Sequence, residues 1–71
     1  MSDKIQETAY LTLMINCDNC DASLDSFEED PPADPMVEWA NRFARMARQK
    51  GWQTDQEGRI LCQDCSAHLR H

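Results

Sequence analysis

Asn16-Cys17-Asp18-Asn19-Cys20-Asp21 and Cys62-Gln63-Asp64-Cys65 contain every cysteine of the chain, and these two stretches decide how the rest is read. Two residues between cysteines let both sulfurs reach one tetrahedral ion at roughly 2.3 Å, while the intervening amides donate hydrogen bonds to the thiolates. Four such ligands form a closed set. No coordination position is left for water, which marks a structural rather than a catalytic metal. The expected ligands are therefore Cys17, Cys20, Cys62 and Cys65, and the expected cofactor is one structural Zn²⁺. Iron accepts the same tetrahedral S₄ donor set and stays open as an alternative.

A redox dithiol is the competing reading of each CxxC pair. It is disfavoured because a thioredoxin-like motif needs a βαβ setting that a chain of 71 residues with this pattern does not hold. Two matching pairs are also explained more simply by one shared ion. His68 and His71 are imidazoles that could supplement a sulfur; the plainer reading makes them exposed cations beside a terminal turn.

Working outward, Thr8 to Ile15 (T-A-Y-L-T-L-M-I) reads as a strand leading into the first cysteine pair, with Leu11, Leu13 and Ile15 on one face. Residues 1–7 read as a flexible polar start. Ala22 to Phe27 is expected to return beside the first strand, with Leu24 as its apolar residue. Residues 28–34 form an acidic, Pro-rich loop, because Pro31 and Pro32 remove donors and bias their neighbours towards extended backbone. Asp34 then reads as a helix N-cap and Pro35 as the first helical residue, opening a helix over residues 35–50. On that helix Met36, Val37, Trp39, Ala40, Phe43, Ala44, Met46 and Ala47 share one half of the circumference, opposite a polar half. Trp39 and Phe43 are expected in the core. Gly51 stands where a left-handed residue ends the helix, with Trp52 packing back on its last turn. Trp52 to Thr54 and Arg59 to Leu61 flank a polar loop ending in Gly58, a β-hairpin that delivers Cys62. Ser66 to His71 follow as the start of a helical turn.

The order of these elements resembles the treble-clef group of four-cysteine zinc fingers, with zinc ribbons as the alternative, and is similar to small bacterial or phage zinc proteins of those types. The resemblance covers Cys17 to His71 and is specific at the four cysteines. It implies a small α+β zinc-stapled domain, treble-clef-like, with short strands and one amphipathic helix inserted between two knuckles. It leaves the function open, since such folds serve nucleic-acid binding, transcription machinery and protein interaction alike.

Length points to one domain, residues 1–71, with a core too small to be secure without a staple. Seven basic and thirteen acidic residues give a formal net charge of −6. Asp18 to Glu38 is acidic throughout and contains no base, including Glu28, Glu29 and Asp30, whereas Arg42, Arg45, Arg48 and Lys50 cluster on and after the helix. Both groups are candidate interaction surfaces. An unidentified protein partner, with the chain as regulator or adaptor, is the leading expectation. Nucleic-acid binding through the arginine stripe is the alternative, and the net charge opposes it. A homodimer is open because the apolar half of the helix is wider than one small sheet covers. No nucleophile, base and orienter pattern points to an enzyme. Neither apolar stretch approaches the ~20 residues of a membrane span, and the N-terminus lacks signal-peptide features, so the expected location is the cytoplasm.

Overall fold

Residues 3–68 are described by a computed structural model of the chain. The elements run α1 (Lys4–Thr12), β1 (Ile15–Asn16), β2 (Ser23–Leu24), α2 (Met36–Gln49), β3 (Gln53–Thr54), β4 (Ile60–Leu61) and α3 (Gln63–His68). β1 pairs antiparallel with β2, Ile15 opposite Leu24, and β3 pairs antiparallel with β4, Gln53 opposite Leu61. Both hairpins lie where the sequence places them. β1 and β4 also touch each other, which brings the two cysteine pairs together.

The N-terminal segment is the main correction. Lys4–Thr12 is helical rather than a flexible start followed by a strand, and of the expected strand only Ile15 pairs with a neighbour, β1 continuing into Asn16. Two causes outweigh the strand-like composition. Asp3 caps the helix, its side chain accepting from the amides of Ile5 at 3.0 Å and Gln6 at 3.4 Å. Ile5 and Ala9, four residues apart, then lie on one face and are completely buried against α2. Leu11, Leu13 and Ile15 accordingly do not share a face: Ile15 is in the core, whereas Leu11 is 72% exposed. Leu13 ends the helix at φ +67°, donating to the carbonyl of Ala9. Among the described residues α1 is thus the helix the sequence reading did not anticipate, since α2 and a short terminal helical turn were expected.

α2 is the helix expected over residues 35–50, one residue shorter at each end. Its start is also corrected. Pro35, at φ −75° and ψ 129°, is still extended and occupies the N-cap, so Asp34 falls outside the cap and no side chain caps the helix. Trp39, Ala40, Phe43, Ala44 and Ala47 are buried, with Met36 and Met46 packed at the margin, while Val37 is turned to solvent. The Trp39 and Phe43 rings meet at 5.4 Å between centroids, tilted by 47°. Most of the wide apolar stripe is covered within the chain, because α1 packs against α2.

The end of α2 follows the sequence closely. Gly51 is left-handed at φ +100°; its amide donates to Arg48 and that of Trp52 to Ala47, the paired closing bonds of a Schellman motif. Trp52 is buried in the core as expected. A Cβ on Gly51 would stand 2.8 Å from Cγ of Gln63, so the bare glycine also lets the helix end approach the second cysteine pair.

The acidic loop is a built turn. The hydroxyl of buried Ser26 and the indole N–H of Trp39 both donate to the Asp30 carbonyl, at 3.0 and 2.7 Å, so the core tryptophan ties the loop to α2.

Candidate metal centre

Cys17 leaves β1 and Cys20 lies in the turn before β2; Cys62 follows β4 and Cys65 lies in α3. The four sulfurs all lie within 4.8 Å of one another, and Cys20 Sγ is 3.5 Å from Cys62 Sγ. A tetrahedron of ~2.3 Å metal–sulfur bonds has edges of about 3.8 Å, so the cluster has the size of a tetrahedral thiolate site. It is too open for a disulfide, whose sulfurs are about 2.05 Å apart, and the cysteines are free. Cys17 and Cys62 are buried, Cys65 is half-buried and Cys20 is exposed.

Local backbone explains the convergence. The amide of Cys17 donates to Ala22, that of Asp21 donates to Cys17, and Asp21 is left-handed at φ +64°, so the chain folds sharply around the first pair. Two reciprocal bonds then register this knuckle on β4: the Asp18 amide donates to the Ile60 carbonyl at 2.8 Å, and the Ile60 amide donates to Asp18 Oδ2 at 2.9 Å. Asn19 completes the joint. Its backbone amide donates to Cys17 Sγ at 3.4 Å and its side-chain amide donates to Cys65 Sγ at 3.2 Å.

These surroundings shape the sulfur chemistry unequally. Burial raises the Cys17 thiol, but amides of Cys62, Asn19 and Cys20 outweigh it and bring the thiol down to about 6. At Cys20 the Ala22 amide favours the thiolate, yet the Cys62, Cys17 and Cys65 sulfurs push the thiol up to about 12. Cys65 is also raised: the Asn19 carboxamide favours its thiolate, against burial and the neighbouring Cys62 and Cys17. The Cys17 thiolate therefore forms readily, whereas Cys20 and Cys65 resist. A dication among four sulfurs would overcome that resistance, since its charge favours every thiolate at once. The donor set fits Zn²⁺, and equally suits another ion that takes S₄ ligation.

The cluster brings together the four cysteines expected as ligands. Among the described residues, the cluster contains cysteines alone; His68 ends α3 outside it, and His71 lies beyond the described residues.

Of the candidate surface residues, Arg42 and Asp30, expected on different surfaces, form an ion pair with Nε 2.9 Å from Oδ2. Arg48 forks the Asp3 carboxylate, its Nη2 donating at 2.9 Å. Arg45, Lys50, Glu28 and Glu29 are exposed. The sequence reading missed Asp3, Asp18 and Asn19. Its signal for the latter two was present but incomplete: Asn and Asp between the cysteines read as turn formers, and nothing local shows that they reach across to the second pair.

No protein-family model, no curated protein and no solved structure matches the chain. No helix among the described residues is long and apolar enough to cross a membrane.

Proposed function

We propose that the chain is a zinc-stapled interaction module of treble-clef type, an adaptor or regulator that acts by binding another protein. The observation that carries this reading is the convergence of all four cysteines into one ligand cluster. Zn²⁺ at such a closed site supplies thiolate charge neutralisation and a cross-link between the knuckles, not catalysis. The succession of knuckle, hairpin and short helix supports the treble-clef architecture.

The surface offered to the partner is a groove of about 420 Å³ between α1 and α2, lined by Gln6, Glu7, Tyr10, Leu11 and Val37. Three of these are large and exposed: Tyr10 at 47%, Leu11 at 72% and Val37 at 54%. Glu7 is its one charged lining residue, within a chain of net charge −6. The occupant is therefore an apolar protein segment carrying Lys or Arg. Nucleic-acid binding is weakened by the engagement of Arg42 and Arg48 with Asp30 and Asp3, which removes two members of the basic stripe.

Metal analysis of protein purified without added metal tests the first half: one zinc per chain with four protected thiols is expected, and a metal-free chain cycling between thiol and disulfide would replace it with a redox reading. Selection from a displayed peptide library tests the second. Enriched peptides should combine apolar side chains with Lys or Arg and lose binding to Leu11→Glu; acidic peptides, or retention by that variant, would refute the groove. Sedimentation showing self-association that Leu11→Glu abolishes would make the occupant a second copy and overturn the partner assignment.

A further inference from the structure

We infer that Asn19 is a positioning residue whose side-chain amide, reaching from the first knuckle to Cys65 of the second, governs how tightly the cluster holds its metal. The inference rests on the metal-site reading above and goes further by assigning control of metal release to a residue that is not a ligand.

Asn19 touches both halves of the site. Its backbone amide lies 3.4 Å from Cys17 Sγ, the buried sulfur of its own pair, and its Nδ2 lies 3.2 Å from Cys65 Sγ across the joint. A metal-bound thiolate is only an acceptor, so the carboxamide must present its NH₂ and not its oxygen. That orientation disperses charge from Cys65, a half-buried sulfur in α3, and joins the two knuckles by a bond independent of the ion. Donors to metal-ligating side chains orient them and set their basicity, and losing one typically costs 10–100-fold in metal affinity. The Asp18 bonds to Ile60 set the relative register of the knuckles through the backbone, whereas the Asn19 amide reaches a sulfur directly. Asn19 is itself exposed, so replacing it removes no core contact.

The test uses the full chain loaded with Co²⁺, whose thiolate charge-transfer bands report sulfur donation, and with Zn²⁺, whose transfer to a chromogenic chelator reports release. Asn19→Ala is expected to release Zn²⁺ about 10–100-fold faster and to displace the charge-transfer band. Asn19→Asp, which sets a carboxylate against the thiolate, should release faster still. Asn19→Gln keeps the donor and should lie nearer the wild type on both readouts. Far-UV circular dichroism and one ion per chain should be unchanged throughout, separating a positioning role from a folding one. Wild-type release and an unshifted band in both Asn19→Ala and Asn19→Asp would overturn the inference while leaving the metal site intact. A Gln variant displaced as far as Ala would likewise overturn it. A wild-type chain with no thiolate band would instead remove the metal-site reading, and this inference with it.

Discussion

Asp18 and Asn19 occupy the two positions between Cys17 and Cys20, and both are engaged with the opposite half of the site. Replacing Asp18 with Ala leaves the Ile60 amide without its 2.9 Å acceptor, so the expected loss is about 1–3 kcal/mol of stability, read from denaturant unfolding of the metal-loaded protein. An unchanged midpoint would show that water replaces the carboxylate without penalty. Gly51 gives a second residue-scale expectation. Its φ of +100° and the 2.8 Å approach of Gln63 Cγ to an added Cβ make Gly51→Ala unfavourable, by about 1–2 kcal/mol from backbone handedness alone. The same unfolding measurement checks it, and a neutral or stabilising alanine would contradict the left-handed helix end.

At the scale of the element, α1 depends on its cap and on its neighbour. The Arg48 fork, opposed by burial and aided by the Gln6 and Ile5 amides, holds the Asp3 carboxyl below its ordinary value of 3.8. A depressed carboxyl stabilises the fold fully above its unfolded pKa, and the contribution disappears as pH falls through the lower folded value. Asp3→Asn preserves the capping oxygen but removes the ion pair. The gap between wild type and Asp3→Asn should therefore be full at neutral pH, amount to no more than about 1 kcal/mol for a partly exposed pair, and close below about pH 4. Denaturation midpoints at matched metal content, from neutral to acid pH, provide the check. A gap that widens on acidification would exclude the ion pair as its source.

For the whole molecule, the cluster draws its cysteines from two hairpins whose strands are two residues long, and a bound ion would tie them together. Structural zinc in finger peptides contributes an apparent 10–16 kcal/mol, comparable to the entire stability of a small domain. Chelation, or Cys17→Ser, should thus abolish cooperative thermal unfolding, followed by far-UV circular dichroism. A sharp transition in the metal-free chain would mean that the α1, α2 and Trp52 core suffices. Residual helicity without cooperativity is compatible with the proposal, because α1 and α2 pack directly on each other.

Much of this architecture was legible because it is written locally. Two CxxC pairs identify a ligand set, a 3.6-residue apolar period identifies α2, and Gly51-Trp52 identifies its end. The same locality explains the failure at the N-terminus. Thr8 to Ile15 has strand-like composition, and Asp3 with Gln6 three residues on is a capping signal that this composition overshadowed. What turned the segment into a helix is the broad apolar face of α2, which α1 covers by burying Ile5 and Ala9. Asp34 failed as a cap for a related reason: the backbone at Pro35 is still extended, and the chain turns helical one residue later. By itself, the sequence determined the candidate ligand set, the central helix and its glycine stop, because each follows from side-chain chemistry or short-range geometry. Only the tertiary structure decided that α1 is a helix, that Arg42 and Arg48 are tied to Asp30 and Asp3, and that Asp18 and Asn19 clasp the second knuckle. Those outcomes depend on surfaces distant in sequence coming together, and no local pattern encodes such a meeting.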